Sequence, residues 1–223
     1  MENKKYLGID LGTSNSAVSI FKDSEAYVLR NALGDINTPS VVRVTSNRIM
    51  VGIKAKRHLH TDTKNTFKEF KRLMGTDSKT EPDLNGKTWS PEELASEVLK
   101  NLKQLAENQE SNVFDKVVIT VPALFELPQS KATATAAQLA GFEKVELIPE
   151  PVASALASGW EGDNDDVAWL VYDLGGGTFD VSLLESRDGL LRVVAHDGDN
   201  FLGGRDIDNK IFEWVETLSL IHI

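Results

Sequence analysis

The sequence predicts an α/β protein of two lobes, and two observations carry that prediction. Short apolar runs of strand type alternate with segments of helical period, and one strand–turn–strand pattern occurs twice. Tyr6-Leu7-Gly8-Ile9 runs into Asp10-Leu11-Gly12, turns through Thr13-Ser14-Asn15 and leaves as Ala17-Val18-Ser19-Ile20. Far downstream, Trp169-Leu170-Val171-Tyr172 runs into Asp173-Leu174-Gly175, turns through Gly176-Gly177-Thr178 and leaves as Val181-Ser182-Leu183-Leu184. Each copy reads as a β-hairpin. Their separation is too long for a solenoid period; it suits two related lobes, each opening with the same hairpin.

The elements between the copies follow from local chemistry. Thr38-Pro39-Ser40 leads into a strand at Val41-Val42-Arg43-Val44, and Arg48 to Gly52 offers it a partner. The stretch from Lys64 to Arg72 is locally basic and is expected to be a charged helical surface. Ser90-Pro91-Glu92-Glu93 is a helix start, with Ser90 as N-cap, Pro91 in the first turn and Glu93 closing a capping box. The helix that follows aligns Leu94, Ala95, Val98, Leu99, Leu102, Leu105 and Ala106 on one face. Val117 to Val121 is a buried-type strand ended by Pro122. Gln129 to Ala140 is Ala-rich and helical, with Gly141 placed for the left-handed residue beyond its end. Val145 to Ile148 is a strand, and Val152 to Ala157 a small-residue helix. Gly162-Asp163-Asn164-Asp165-Asp166 is the expected lobe boundary. Ile207, Ile211, Trp214, Val215 and Leu218 form one helical face, and the chain then ends in Leu220-Ile221-His222-Ile223. That uncovered stripe points to a chain cut short and prone to self-association.

Composition narrows the function classes. The 223 residues carry 24 Lys and Arg against 34 Asp and Glu, a net charge of -10. Nucleic acid and anionic membrane surfaces would repel such a chain. There is no cysteine, which removes disulfides and thiolate metal sites. No segment reaches the roughly 20 apolar residues of a membrane span, and the start at Met1-Glu2-Asn3 is expected to lack a signal-peptide core. His58 and His60 have no ligand cluster near them in sequence and read as an exposed pair. Trp89, Trp160, Trp169 and Trp214 read as packing anchors.

The hairpin turns carry the chemistry. Glycine lets backbone approach an anion, and successive N–H groups form a concave nest for phosphate oxygens. Asp10 and Asp173 end strands at the mouths of these turns. A carboxylate there repels bare phosphate, so a bridging magnesium ion, which keeps most of its waters, is the natural partner. One such turn alone is an ordinary tight turn; two together point to a polyphosphate held from both sides. No Gly-Lys-Ser/Thr follows either turn, so neither is a P-loop. Gly175-Gly176-Gly177 lacks the dinucleotide-binding spacing.

Gly8 to Ser16 and Asp173 to Val181 resemble the two phosphate motifs of the seventy-kilodalton heat-shock chaperone family. So do Lys71-Arg72-Leu73-Met74-Gly75, Val121-Pro122-Ala123, Glu150-Pro151 with its helix, and Gly198 to Gly204. These motifs stand in family order from about Tyr6 to Lys210. The resemblance implies an actin-like ATPase fold with ribonuclease H-like lobes. Residues 1–162 would form the first lobe, with a subdomain inserted at about 40–92, and 163–223 would begin a second, whose missing remainder would clasp the base.

It also implies ATP or ADP with Mg2+, and hydrolysis that drives a cytoplasmic, stress-responsive protein-folding cycle. The partners implied for the longer protein are unfolded peptides, a J-domain co-chaperone and a nucleotide-exchange factor. By the same resemblance Asp10 and Asp173 would hold hydrated magnesium. Gly12, Thr13, Ser14 and Asn15 would wrap the phosphates with Gly175, Gly176, Gly177 and Thr178. Lys71 would reach the γ-phosphate and the attacking water, and Glu150, held extended between Pro149 and Pro151, would orient water. Thr178 and Asp180 would lie near the γ-phosphate, and Gly203 and Gly204 would approach the nucleotide. The sequence departs from the family pattern at Glu126, Leu127, Pro128 and Ser130, where an Arg would relay nucleotide state to another domain. The rival readings are a small-molecule kinase of the same superfold, an actin-like filament protein and a nucleotide sensor without turnover.

Overall fold

Alternation of large apolar with small or polar side chains builds the main sheet. β1 (Tyr6–Leu11) buries Leu7, Ile9 and Leu11 and leaves Asp10 exposed on its other face. β2 (Asn15–Lys22) returns antiparallel to it, and β3 (Glu25–Val28) and the two-residue β4 (Thr38–Pro39) both pair with β2. The computed structural model describes residues 5–81, 83, 86–160 and 167–221.

A small antiparallel sheet comes next. β5 (Val41–Val44) is flanked by β6 (Ile49–Val51) and β7 (Thr66–Lys68), with the short helix α1 (Ile53–Lys56) between the two partners in sequence. The 64–72 stretch is therefore not the charged helix that its composition predicts. Thr66 and Phe67 favour a pleated strand and pair with Arg43 and Val42. Glu69, at φ 60, then turns the chain into a single 3-10 turn over Phe70–Leu73.

α2 (Pro91–Glu110) starts as its sequence specifies. The Glu93 N–H donates to Ser90 Oγ at 3.2 Å, and the Ser90 N–H donates to Glu93 Oε2 at 2.9 Å. Its face of Leu94, Ala95, Val98, Leu99, Leu102 and Ala106 is buried. β8 (Lys116–Val121), α3 (Leu127–Leu139) and β9 (Lys144–Pro149) follow as a strand–helix–strand unit, with Gly141 at φ +84 after α3. β8 lies parallel to β1, and β9 parallel to β8, giving the order β3-β2-β1-β8-β9. α2 and α3 pack together and supply, with β1, β2 and β8, one continuous hydrophobic core.

The chain divides into two compact units, Met1–Glu150 and Pro151–Ile223. α4 (Glu150–Ala157) begins at the division. Glu150 is thus the first helical residue rather than an extended one: a proline is tolerated in a first turn, where its missing N–H would have had no partner. The expected boundary at Gly162 to Asp166 lies outside the described residues.

The second unit holds an antiparallel sheet of β10 (Val167–Leu174), β11 (Phe179–Arg187) and β12 (Leu190–Asp199), followed by α5 (Gly204–Ile221). On β11 the buried positions include Asp180, Ser182, Leu184 and Ser186, and Trp160 donates its indole N–H to Ser186 Oγ at 2.9 Å. Much apolar surface stays open: Tyr172 is 66% exposed, and Ile211, Phe212, Trp214 and Val215 on α5 are all exposed. Among the described residues no helix is long and apolar enough to cross a membrane.

Two outcomes follow from these elements. Burial alone would raise the Glu93 carboxyl, but the Ser90 N–H and the Lys87 ammonium hold it below its ordinary value near 4.5. A depressed folded-state pKa gives stability that is present above the unfolded value and lost as pH falls through the folded one. Glu93→Gln should therefore flatten the acid limb of a melting-temperature profile below pH 4.5, while Ser90→Ala should cost about 1 kcal/mol near neutrality. Separately, the open face of α5 should drive self-association in sedimentation velocity, and Trp214→Glu should return the chain to a single slow species.

Candidate functional site

In the first unit the parallel strands place the chemistry at one end of the sheet. The register sets Asp10 opposite Thr120, and Thr120 opposite Ile148, so the chain leaving β9 delivers Glu150 to the same edge. Carboxyl ends of parallel strands are where open α/β sheets gather ligands. The Thr120 hydroxyl donates to Asp10 Oδ1 at 2.9 Å, which orients a carboxylate that is otherwise exposed.

The turn after Asp10 requires glycine. A Cβ on Gly12 would overlap the carbonyl oxygen of Asn15. Its own carbonyl accepts a hydrogen bond from Ser40 Oγ at 2.8 Å, and Ser40 Oγ lies 2.9 Å from Ser16 Oγ. The Ser40 N–H donates to the Ser14 carbonyl at 2.9 Å. Thr13 is buried, while Ser14 and Asn15 are exposed at the tip.

Lys71 is buried rather than spread on a charged surface, with 5% of its area exposed. Its ammonium donates to Glu150 Oε1 at 2.9 Å and lies 5.5 Å from the centre of the Phe125 ring. Removing one partner of such a pair leaves a buried charge uncompensated, typically at about 3–5 kcal/mol. Gly75, at φ +76, ends the same motif. A Cβ there would stand 2.7 Å from the Pro128 carbonyl carbon, so the backbone of this motif rests on the start of α3. The residues that depart from the family pattern form that start: the Glu126 N–H donates to Gln129 Oε1 at 2.8 Å, and Leu127 is exposed.

In the second unit, Gly175 to Thr178 closes the β10–β11 hairpin, with the Gly175 N–H donating to the Thr178 carbonyl at 2.9 Å. The α5 N-terminus sits on this turn. The Gly204 N–H donates to the Gly175 carbonyl at 3.0 Å, and the Arg205 N–H to the Gly176 carbonyl at 3.1 Å. A Cβ on Gly203 would collide with the backbone of Gly176 and Gly177, whereas one on Gly204 would meet nothing nearer than 3.9 Å. Across the hairpin Asp173 stands directly opposite Asp180, which is buried. Facing carboxylates on paired strands disfavour each other.

These sites bring Lys71 and Glu150 together, and Gly203 and Gly204 onto Gly175 to Gly177. Asp10 and Asp173 belong to different units. The sequence reading did not single out Thr120, Ser40 or Phe125. The threonine inside Val117-Val118-Ile119-Thr120-Val121 is a readable signal, and Ser40 follows Thr38-Pro39 at a turn, but nothing in sequence marks Phe125.

Mixed α/β order with two glycine-turn hairpins at strand ends defines the class of scaffold. The chain belongs to the Hsp70 family: the family model described as Hsp70 protein matches residues 6–84 and 77–218. Three relatives described as chaperone protein DnaK, from Mycoplasma mobile, Mycoplasmopsis pulmonis and Mycoplasmoides gallisepticum, are each 46% identical over 215 residues. The match covers 96% of this chain and 35% of the first two relatives and 36% of the third, so the chain spans about a third of their length. Family membership brings with it the actin-like ATPase fold, and the mixed sheet of the first unit is consistent with it.

The two glycines at the start of α5 give one paired outcome. Gly203→Ala should destabilise the chain by about 1–3 kcal/mol through overpacking, read as a lower melting temperature. Gly204→Ala should leave it nearly unchanged.

Proposed function

We propose that this chain is part of an ATP-binding and magnesium-dependent ATP-hydrolysing domain that drives a protein-folding cycle in a longer chaperone. The observation that carries this reading is the buried Lys71–Glu150 ion pair. Two residues far apart in sequence, each assigned to the hydrolytic step from its own motif, meet at 2.9 Å at the end of the sheet that bears Asp10. Structural lysines are usually solvated; one desolvated and aimed at a glutamate beside a glycine turn suits a γ-phosphate and an attacking water.

The donor set fits the implied groups. Asp10 and Asp173 would offer the one or two carboxylates that a hydrated magnesium ion takes, and when bound that ion would neutralise charge on the phosphates. Gly12 to Asn15 and Gly175 to Thr178 would hold phosphate oxygens through backbone N–H groups and hydroxyls. Gly203 and Gly204 would bring the α5 N-terminus near the same anion. Lys71 would contact the γ-phosphate, Glu150 would orient the attacking water, and Thr178 would assist. Positioning and electrostatics supply most of the acceleration in phosphoryl transfer.

In this reading the first lobe runs to about residue 162 with 40–92 inserted, and 163–223 opens the second. The whole protein would take unfolded peptides as substrates and work with a J-domain co-chaperone and a nucleotide-exchange factor in the cytoplasm. The relatives' description as chaperones supports this over a small-molecule kinase or a filament protein.

The test joins calorimetry with MgATP to single-turnover hydrolysis. Asp10→Asn with Asp173→Asn should abolish MgATP binding. Lys71→Met should retain binding while turnover falls about 10²–10³-fold, the scale of losing one transition-state donor. Unchanged turnover in Lys71→Met would sink the assignment.

A further inference from the structure

One cavity among the described residues lies away from the glycine turns. It lies in the first unit beside the small sheet, encloses about 380 Å³, and falls within the range of small-molecule sites. Phe67, Phe70, Trp89 and Leu94 form its apolar walls. Lys64, Lys68 and Lys79 stand on its lining, against the single carboxylate of Glu81. On a chain of net charge -10, three lysines to one acid around an apolar cavity is a local reversal of sign.

The cavity is built in advance of any ligand. Trp89 donates its indole N–H to Asp83 Oδ2 at 2.9 Å, and the Lys87 ammonium covers its ring at 3.6 Å from the centre. Its backbone is tied on both sides to Thr80: the Trp89 N–H donates to Thr80 Oγ1 at 3.0 Å, and the Thr80 N–H to the Trp89 carbonyl at 3.0 Å. Phe70 is buried, and Phe67 is fixed by strand pairing with Val42. A wall ordered beforehand spares a ligand the entropy of ordering it.

We propose that this cavity binds a small aromatic carboxylate. The ring system lies between Trp89 and the Phe67–Phe70 wall, and the carboxylate faces the lysines. Lys68 already pairs with Glu69 at 3.1 Å, so Lys64 and Lys79 carry more of the attraction. Phe70 and Leu73 line the cavity from either side of Lys71 within one four-residue turn. A bound ligand therefore presses on the segment that holds the buried lysine. The site itself stands independently of the nucleotide reading, because none of its walls belongs to the glycine turns.

The test is a ¹H–¹⁵N NMR titration of the 223-residue chain with 2-naphthoate, with uncharged 2-naphthamide as the control. The expected result is saturable movement of the Phe67, Phe70, Leu73 and Thr80 amides and of the Trp89 indole N–H. Lys64→Gln with Lys79→Gln, both surface changes, should weaken 2-naphthoate about three- to tenfold, the scale of losing exposed charge pairs, and leave 2-naphthamide unaffected. Movement confined to Phe212 and Trp214 on α5, or no saturable movement at the named positions, overturns the site. Equal affinity for the two probes, or no effect of the double variant, overturns the carboxylate.

Discussion

A lysine ammonium taken out of water needs an anion beside it, and at Lys71 that need organises the edge of the first unit. Glu150 can answer only if β9 ends where it does, which follows from its parallel register on β8 and that of β8 on β1. Lys71 can reach it only if the chain after β7 reverses through Glu69 and tightens into a 3-10 turn. Phe125, carried on the loop after β8, closes over the ammonium. A buried pair of this kind seldom adds net stability over apolar residues of the same volume. Stability alone therefore does not account for its presence in an otherwise ordinary core.

The hydrophobic core makes that placement possible. α2 and α3 cover one face of the main sheet with Leu94, Val98, Leu99, Ala132, Ala136 and Ala137, so period-two alternation forces Asp10 and Thr120 onto the opposite face. A slip of one residue in β1 would turn Asp10 into the core and Ile9 out of it. Burial of Leu7, Ile9 and Leu11 thus sets the direction of the carboxylate as firmly as any hydrogen bond does.

Much of this was legible in the sequence. The hairpins, the capped α2, the strand before Pro122 and the glycine after α3 all declare themselves through local chemistry, because turns, caps and period need only neighbours in the chain. The Lys64 to Arg72 stretch did not, because its conformation is decided by pairing with β5, a contact that no local pattern announces. The same tertiary override placed Glu150 at a helix start, where Pro151 fits the first turn. Thr120, Ser40 and Phe125 lie beyond what single-sequence reading reaches, since each acts through a partner distant in sequence. The Lys71 motif was found from resemblance, and its burial came only with the fold.

The two hairpin turns show how one sequence idea is completed by different means. In each, a carbonyl of the glycine turn is occupied from behind. The first unit uses side chains, with the Ser40 hydroxyl holding the Gly12 carbonyl and Ser16 beside it. The second uses a helix start, with the N–H groups of Gly204 and Arg205 holding the Gly175 and Gly176 carbonyls. A peptide plane whose oxygen is pinned cannot flip, so the direction of its N–H is fixed in advance. A serine clamp fixes one plane and tolerates side chains nearby. A helix-start clamp fixes two but demands bare backbone at Gly203, where even a methyl group collides. The glycine at position 203 is thus the consequence of docking a helix onto the turn, and a side chain there would move either the helix or the turn.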